Sequence, residues 1–143
     1  MSELRPLLVG CGILEKEITW LIEKNAWPLD TLFLDSALHI DVGKLYSSLR
    51  SALAEHAGRR VIVFYGECHP LMDKLLAEAA VARTPGQNCV HMLLGDPLFS
   101  EELSRGAFFL LEDWAVRWEE VITGALGKKS DIIRAIFRED RKC

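Results

Sequence analysis

Arg60-Val61-Ile62-Val63-Phe64-Tyr65-Gly66-Glu67-Cys68-His69-Pro70 decides how this chain folds. Five consecutive apolar residues after Arg60, two of them valine and one isoleucine, predict a strand. A strand with one wet face would alternate apolar and polar residues. This one does not, so both of its faces must be covered, as in a parallel sheet lying between layers of helices. Gly66 interrupts the run, and Pro70 suits the first turn of a helix with Leu71, Met72, Leu75, Leu76 and Ala79 facing inward.

The same alternation extends outward in both directions. Upstream, Leu7-Leu8-Val9-Gly10-Cys11-Gly12-Ile13 reads as a buried strand with a sharp turn at its carboxyl end, followed by a helix from Leu14 to Asn25. Thr31-Leu32-Phe33-Leu34-Asp35 is a second apolar strand, after which Asp41 is placed to cap a helix running to about His56 and ended by Gly58. Downstream, Thr84-Pro85-Gly86-Gln87-Asn88 is a loop, and Cys89 to Gly95 fits either a strand or a short helix. Gly106 to Leu111 predicts a further strand, and Trp114, Trp118, Val121 and Ile122 mark a helix. Ser130 is placed to cap a last helix carrying Ile132, Ile133, Ile136 and Phe137. Strand followed by helix, three times over, implies an α/β fold: an open, mostly parallel sheet of about four strands flanked by helices in a Rossmann-like three-layer arrangement. Residues 1–143 are expected to form a single domain. Its last helix runs into Arg141-Lys142-Cys143 without a stop signal, as in a chain truncated at its C-terminus or a helix that frays.

A chain of 143 residues buries roughly 68–70% of its unfolded surface, so it needs no disulfide staple. The net charge of −4 argues against nucleic acid as a partner, and the basic run Arg134, Arg138, Arg141 and Lys142 is broken by Glu139 and Asp140. No stretch approaches the ~18 apolar residues of a membrane span, and a single Arg5 makes a poor signal-peptide start. The expected location is the cytoplasm, where thiols stay reduced. The four cysteines are then core residues, metal ligands or nucleophiles rather than disulfide partners. The four tryptophans are expected as core or interface anchors, the latter leaving room for a homo-oligomer.

In an open parallel sheet, ligands bind beyond the carboxyl ends of the strands. Three cysteines and two histidines fall there. Cys11, between Gly10 and Gly12, ends the first strand; His39 follows the second; Cys68 and His69, after Gly66, follow the third. Cys89 opens the ambiguous segment and would bring a third thiol to the same edge. Glycine allows close backbone approach and positive φ, and helix amino termini aimed at Cys11 or Cys68 would favour the thiolate. Cys11, Cys68 and Cys89 with His39 or His69 (or His91) as a fourth ligand would suit zinc; an iron–sulfur cluster is the alternative. Ligands of one zinc ion, each bound at about 2.3 Å, lie within about 4 Å of one another. Gly10-Cys11-Gly12 also starts like a dinucleotide fingerprint, but Glu15 takes the place of the third glycine. No Walker lysine motif, Gly-x-Ser-x-Gly elbow or His-Glu-x-x-His pair occurs.

The ordered set Val9-Gly10-Cys11-Gly12-Ile13-Leu14, Leu38-His39, Tyr65-Gly66-Glu67-Cys68, Asn88-Cys89-Val90 running into Leu93-Leu94-Gly95, and Glu112-Asp113-Trp114 resembles the bacterial and archaeal domain-of-unknown-function family numbered 1638. Its members typically show a Cys-Gly-Ile-Leu start, a Leu-His pair, a Tyr-Gly-x-Cys-Gly turn, an Asp-Cys before Leu-Leu-Gly, and a late Gly-Trp. Here His69 stands where the family usually has glycine, Asn88 replaces an aspartate, and Asp113 replaces the glycine before tryptophan. Family members usually extend further than this chain. Their frequent association with corrinoid-dependent methyl-transfer systems implies a metal- or methyl-handling accessory role. The leading expectation is thus a metal-binding accessory protein. A cysteine-dependent enzyme acting on a small molecule, with Cys68 or Cys11 as nucleophile, and a non-catalytic interaction module are the alternatives.

Overall fold

The computed structural model describes residues 3–126. Four strands, β1 (Leu7–Cys11), β2 (Asp30–Leu34), β3 (Val61–Phe64) and β4 (Ala82–Arg83), form one open sheet in the order β2-β1-β3-β4, with every pairing parallel. Around it lie seven described α-helices: α1 (Glu15–Asn25), α2 (Val42–Glu55), α3 (Met72–Glu78), α4 (Cys89–Leu94), α5 (Asp96–Ser104), α6 (Glu112–Val116) and α7 (Trp118–Leu126). All five residues of β1 are buried, so both faces of the sheet's centre are covered. Val9 and Val63 on the strands and Leu45 and Leu49 on α2 are completely buried and join Leu75 and Leu76 of α3 in one core. This is the expected α/β architecture. Among the described residues no helix is long and apolar enough to cross a membrane.

The order of the strands fixes where a site can form. From β1 the chain crosses outward to β2, then returns to the opposite side of β1 to lay down β3. Connections therefore leave in opposite directions between β1 and β3, opening a crevice at their carboxyl ends. Cys11 pairs with Leu34 across the β2 side, while Gly10 pairs with Phe64 across the β3 side. Gly10 is needed at that crossing, since a Cβ there would lie 3.2 Å from the Phe64 Cβ.

Several local expectations change. After a turn at Gly106, residues 107–111 alternate in exposure, as a strand would, but join no sheet; Phe109 instead stacks on Phe99 of α5 at 5.5 Å between ring centres. The fourth strand is β4, whose two residues, Ala82 and Arg83, carry no apolar run to announce it. Cys89 to Gly95 resolves as a helix because the Asn88 side chain caps it, accepting from the His91 N–H at 2.9 Å. Helix α5, with Phe99 as its one buried residue, falls where the sequence predicts no element. The single helix expected around Trp114 to Ile122 is two, α6 and α7, parted at Arg117. Trp20 and Trp27 are 55% and 48% exposed, so these two do not anchor the core, whereas Trp114 packs against it. The expected helix from Ser130 to Phe137, the basic run after it and Cys143 lie outside the described residues.

Candidate metal centre at the switch point

Cys11, Cys68 and Cys89 line one narrow cavity at the crevice between β1 and β3, together with His39, Tyr65 and Met92. Ile13, Phe64 and Gly66 complete its wall. Each thiol arrives by a different route. Cys11 is the last residue of β1 and is 4% exposed. Cys68 sits in the bend after β3, and Cys89 is the first residue of α4. Cys89 reaches the cavity because Gly66 lets the preceding loop come in: the Glu67 N–H donates to the Gln87 carbonyl at 2.7 Å, and a Cβ on Gly66 would lie 2.6 Å from the Asn88 Cα. Arg83 holds the same loop from below, donating to the Thr84 and Gly86 carbonyls at 3.1 Å each and to Asp73 at 3.0 Å.

The glycines therefore work by close approach. Gly66 borders the cavity, while Gly10 and Gly12 do not; a Cβ on Gly12 would meet the Leu34 carbonyl at 3.0 Å. None of the three has a positive φ, contrary to one expectation; Gly58, Gly86, Gly95 and Gly106 do.

His39 is brought in by the 3₁₀ turn Ser36–Ile40, and its Nε2 lies 3.3 Å from the Cys11 sulfur. Burial holds its basicity below the ordinary histidine range, so the ring is neutral. The turn is fastened from outside: Ser36, the one buried polar side chain among the described residues, donates to Asp113 and takes a 2.9 Å hydrogen bond from Arg117, which also pairs with Asp35 at 2.8 Å. Asp113, which stands where the resembled family has glycine, therefore ties α6 to this turn. Trp114 beside it meets the His39 ring edge-on at 6.0 Å, and Tyr65 lies on another side at 6.2 Å.

The other histidines are engaged elsewhere. His69 accepts from the Leu71 N–H at 2.9 Å through Nδ1, packs on Tyr46 at 5.2 Å, and lines a separate depression with Glu67 and Asp73. His91 accepts from the Gln87 N–H at 3.0 Å, pairs with Asp96 through its other nitrogen, and stacks on Phe99. Both nitrogens of His91 are spoken for.

The thiols are not activated. Burial pushes Cys11 up to about 12, against a hydrogen bond from the Ile13 N–H that lowers it; neighbouring Cys89 and Cys68 raise it further. Cys68 and Cys89 are also raised, first by burial. The expected help from helix amino termini is too small. A 3₁₀ turn, Gly12–Leu14, intervenes after Cys11, and α3 begins only at Met72, four residues past Cys68. Among the described residues, no three histidine, cysteine, aspartate or glutamate side chains stand in an arrangement that would hold a metal ion as they are. The expected cluster of thiolate ligands is thus not preformed; the sulfurs share a cavity wall without surrounding a common centre.

That cavity is small. It has room for one atom-sized occupant. A larger, open groove runs between α1 and α6 past Trp20 and Val116, but its Lys16 already pairs with Glu112 at 2.8 Å, and no thiol lines it.

Tyr65 is the functional candidate that the sequence did not reveal. It reads as the last apolar residue of a strand, yet it is 1% exposed and its hydroxyl makes no well-formed hydrogen bond, having the Cys11 sulfur as its polar neighbour. The available signal was its place directly before Gly66-Glu67-Cys68.

The family described as a protein of unknown function, DUF1638, matches residues 33–142, most of the chain, and the chain belongs to that family. The matched span holds His39, Cys68 and Cys89 but starts after Cys11, which the fold brings to the same cavity. No curated protein and no solved structure matches the chain.

Proposed function

For this member of the DUF1638 family we propose a buried binding site for a single thiophilic metal ion, zinc in the first instance, with Cys11, Cys68 and Cys89 as thiolate ligands and His39 as the fourth. The observation that carries the reading is the shared cavity of three thiols and a neutral imidazole at the strand-order switch point. Every donor there is soft or borderline, the set that zinc takes in closed tetrahedral sites. Cys11 and His39 are held by β1 and by the fastened turn. Cys68 in its bend and Cys89 at the start of a six-residue helix are the two that must close in.

Three further points favour this reading over its rivals. Neighbouring thiols raise one another's pKa, a repulsion that a bound cation offsets. A nucleophilic cysteine needs a lowered pKa, and all three here are raised. Space for one atom suits an ion better than an iron–sulfur cluster or an organic substrate. An accessory role in corrinoid-dependent methyl transfer rests on the family resemblance, and a zinc–thiolate protein is the kind of component such a role would need.

The test is metal content and affinity of anaerobically purified protein. One zinc or cobalt ion per chain is expected, with the intense near-ultraviolet charge-transfer absorption of cobalt bound to thiolates. Cys68→Ser should weaken binding at least a hundredfold. A wild-type chain that takes up no stoichiometric metal refutes the proposal.

A further inference from the structure

Among the described residues, two buried side-chain polar atoms lack a well-formed hydrogen bond: the Trp114 Nε1, and the Tyr65 hydroxyl, whose polar neighbour is the weakly accepting Cys11 sulfur. Their rings flank the same histidine, His39, at 6.2 and 6.0 Å. Buried polar groups are nearly always satisfied, because leaving one without a partner forfeits its hydration. Two such atoms around one imidazole, in a fold whose other buried polar side chain, Ser36, is fully bonded, mark a site that is complete only with something added.

Tyr65 belongs to the thiol cavity itself. Its 1% exposure leaves the hydroxyl no access to water, and the wall it shares includes Cys11 and Cys68. A neutral thiol is a weak hydrogen-bond acceptor; a metal-bound thiolate is a strong one.

We propose that Tyr65 is a positioning residue of the metal site, its hydroxyl donating to the Cys11 sulfur once that sulfur is coordinated. The inference rests on the proposed metal site and assigns it an outer partner. Groups in this role typically account for about 10–100-fold in metal affinity. In the metal-free protein the phenol keeps its proton, since burial first and the adjacent sulfurs next hold its ionisation above the ordinary tyrosine value.

A purely structural tyrosine and a positioning one respond differently to Tyr65→Phe, which keeps the ring and deletes the oxygen. The positioning role predicts zinc affinity reduced about 10–100-fold, by chelator competition, while the urea midpoint of the metal-free protein stays level or rises because an unsatisfied hydroxyl is gone. It also predicts a shift of the cobalt charge-transfer band, which reports electron density on sulfur. Unchanged affinity and spectrum in a variant beside a metal-binding wild type overturn the role of Tyr65 alone. A fall in metal-free stability with unchanged affinity also overturns it, making the hydroxyl structural. A wild type that binds no metal overturns the site and this inference together.

Discussion

Zinc affinity should rise steeply with pH through neutrality. All three thiols are raised above their ordinary value, so at pH 7 each holds its proton in the metal-free protein. Cys11 is pushed up to about 12, and removing its proton at pH 7 costs about 7 kcal/mol at about 1.4 kcal/mol per pH unit. A metal must supply that free energy, and it releases one proton for each thiolate it captures. His39 contributes none, since burial already keeps it neutral. Three protons released means about a thousandfold gain in affinity per pH unit, about 4 kcal/mol. Competition against a chelator of known pH dependence gives the slope. Calorimetry in buffers of different ionisation enthalpy counts the protons directly. A count of one or fewer would refute the reasoning, because it would leave at most one protonated cysteine among the ligands.

The metal-free chain should lose stability in alkali. A thiol whose pKa is higher folded than unfolded stabilises fully below the unfolded value and ceases to as pH climbs through the folded one. For Cys11 that window runs from 9.0 to about 12 and is worth about 4 kcal/mol at its upper end, so Cys11→Ala should flatten the decline in urea midpoints over that range. Gly66→Ala puts a methyl 2.6 Å from the Asn88 Cα; it should lower stability by about 1–3 kcal/mol and abolish zinc binding by pushing Cys89 outward, which denaturation and metal analysis would read separately. Normal zinc uptake by that variant would show that the loop's approach is immaterial to the site. Ser36→Ala removes a buried donor from Asp113 and an acceptor from Arg117, a loss of about 1–3 kcal/mol measurable by urea unfolding.

The strands at Leu7, Thr31 and Val61 were legible because strands of a parallel sheet between helical layers read as short apolar runs bounded by turn residues. The cysteines at the carboxyl edge followed from the same argument, since Cys11 and Cys68 stand where those runs end. What failed to show were features settled between distant segments. β4 is two residues long and exists because Val63 offers a free edge to Arg83. Phe108 and Phe109 look like strand residues, and only the absence of a partner edge makes them coil. The pairing of His39 rather than His69 with Cys11 depends on the 3₁₀ turn and its fastening to Asp113 and Arg117, more than seventy positions away. Thiol acidity was misjudged for a physical reason: helix termini act over one turn, while burial acts from every side.

A buried cysteine by itself argues for nothing more than a small core residue, and Cys11, almost fully buried beside Leu7 and Val9, would satisfy that description. The rest of the cavity does not. A core built only to exclude water would place phenylalanine where the Tyr65 hydroxyl meets nothing better than a thiol, and would orient the Trp114 N–H toward a carbonyl. It would also have no reason to hold a neutral imidazole 3.3 Å from a sulfur and to fix that imidazole's turn with a buried serine, an aspartate and an arginine. Polar groups left incomplete carry a cost that selection for stability alone would remove. Their concentration around His39 and the three thiols, at the one place where the strand order reverses, is accounted for by an occupant that completes them.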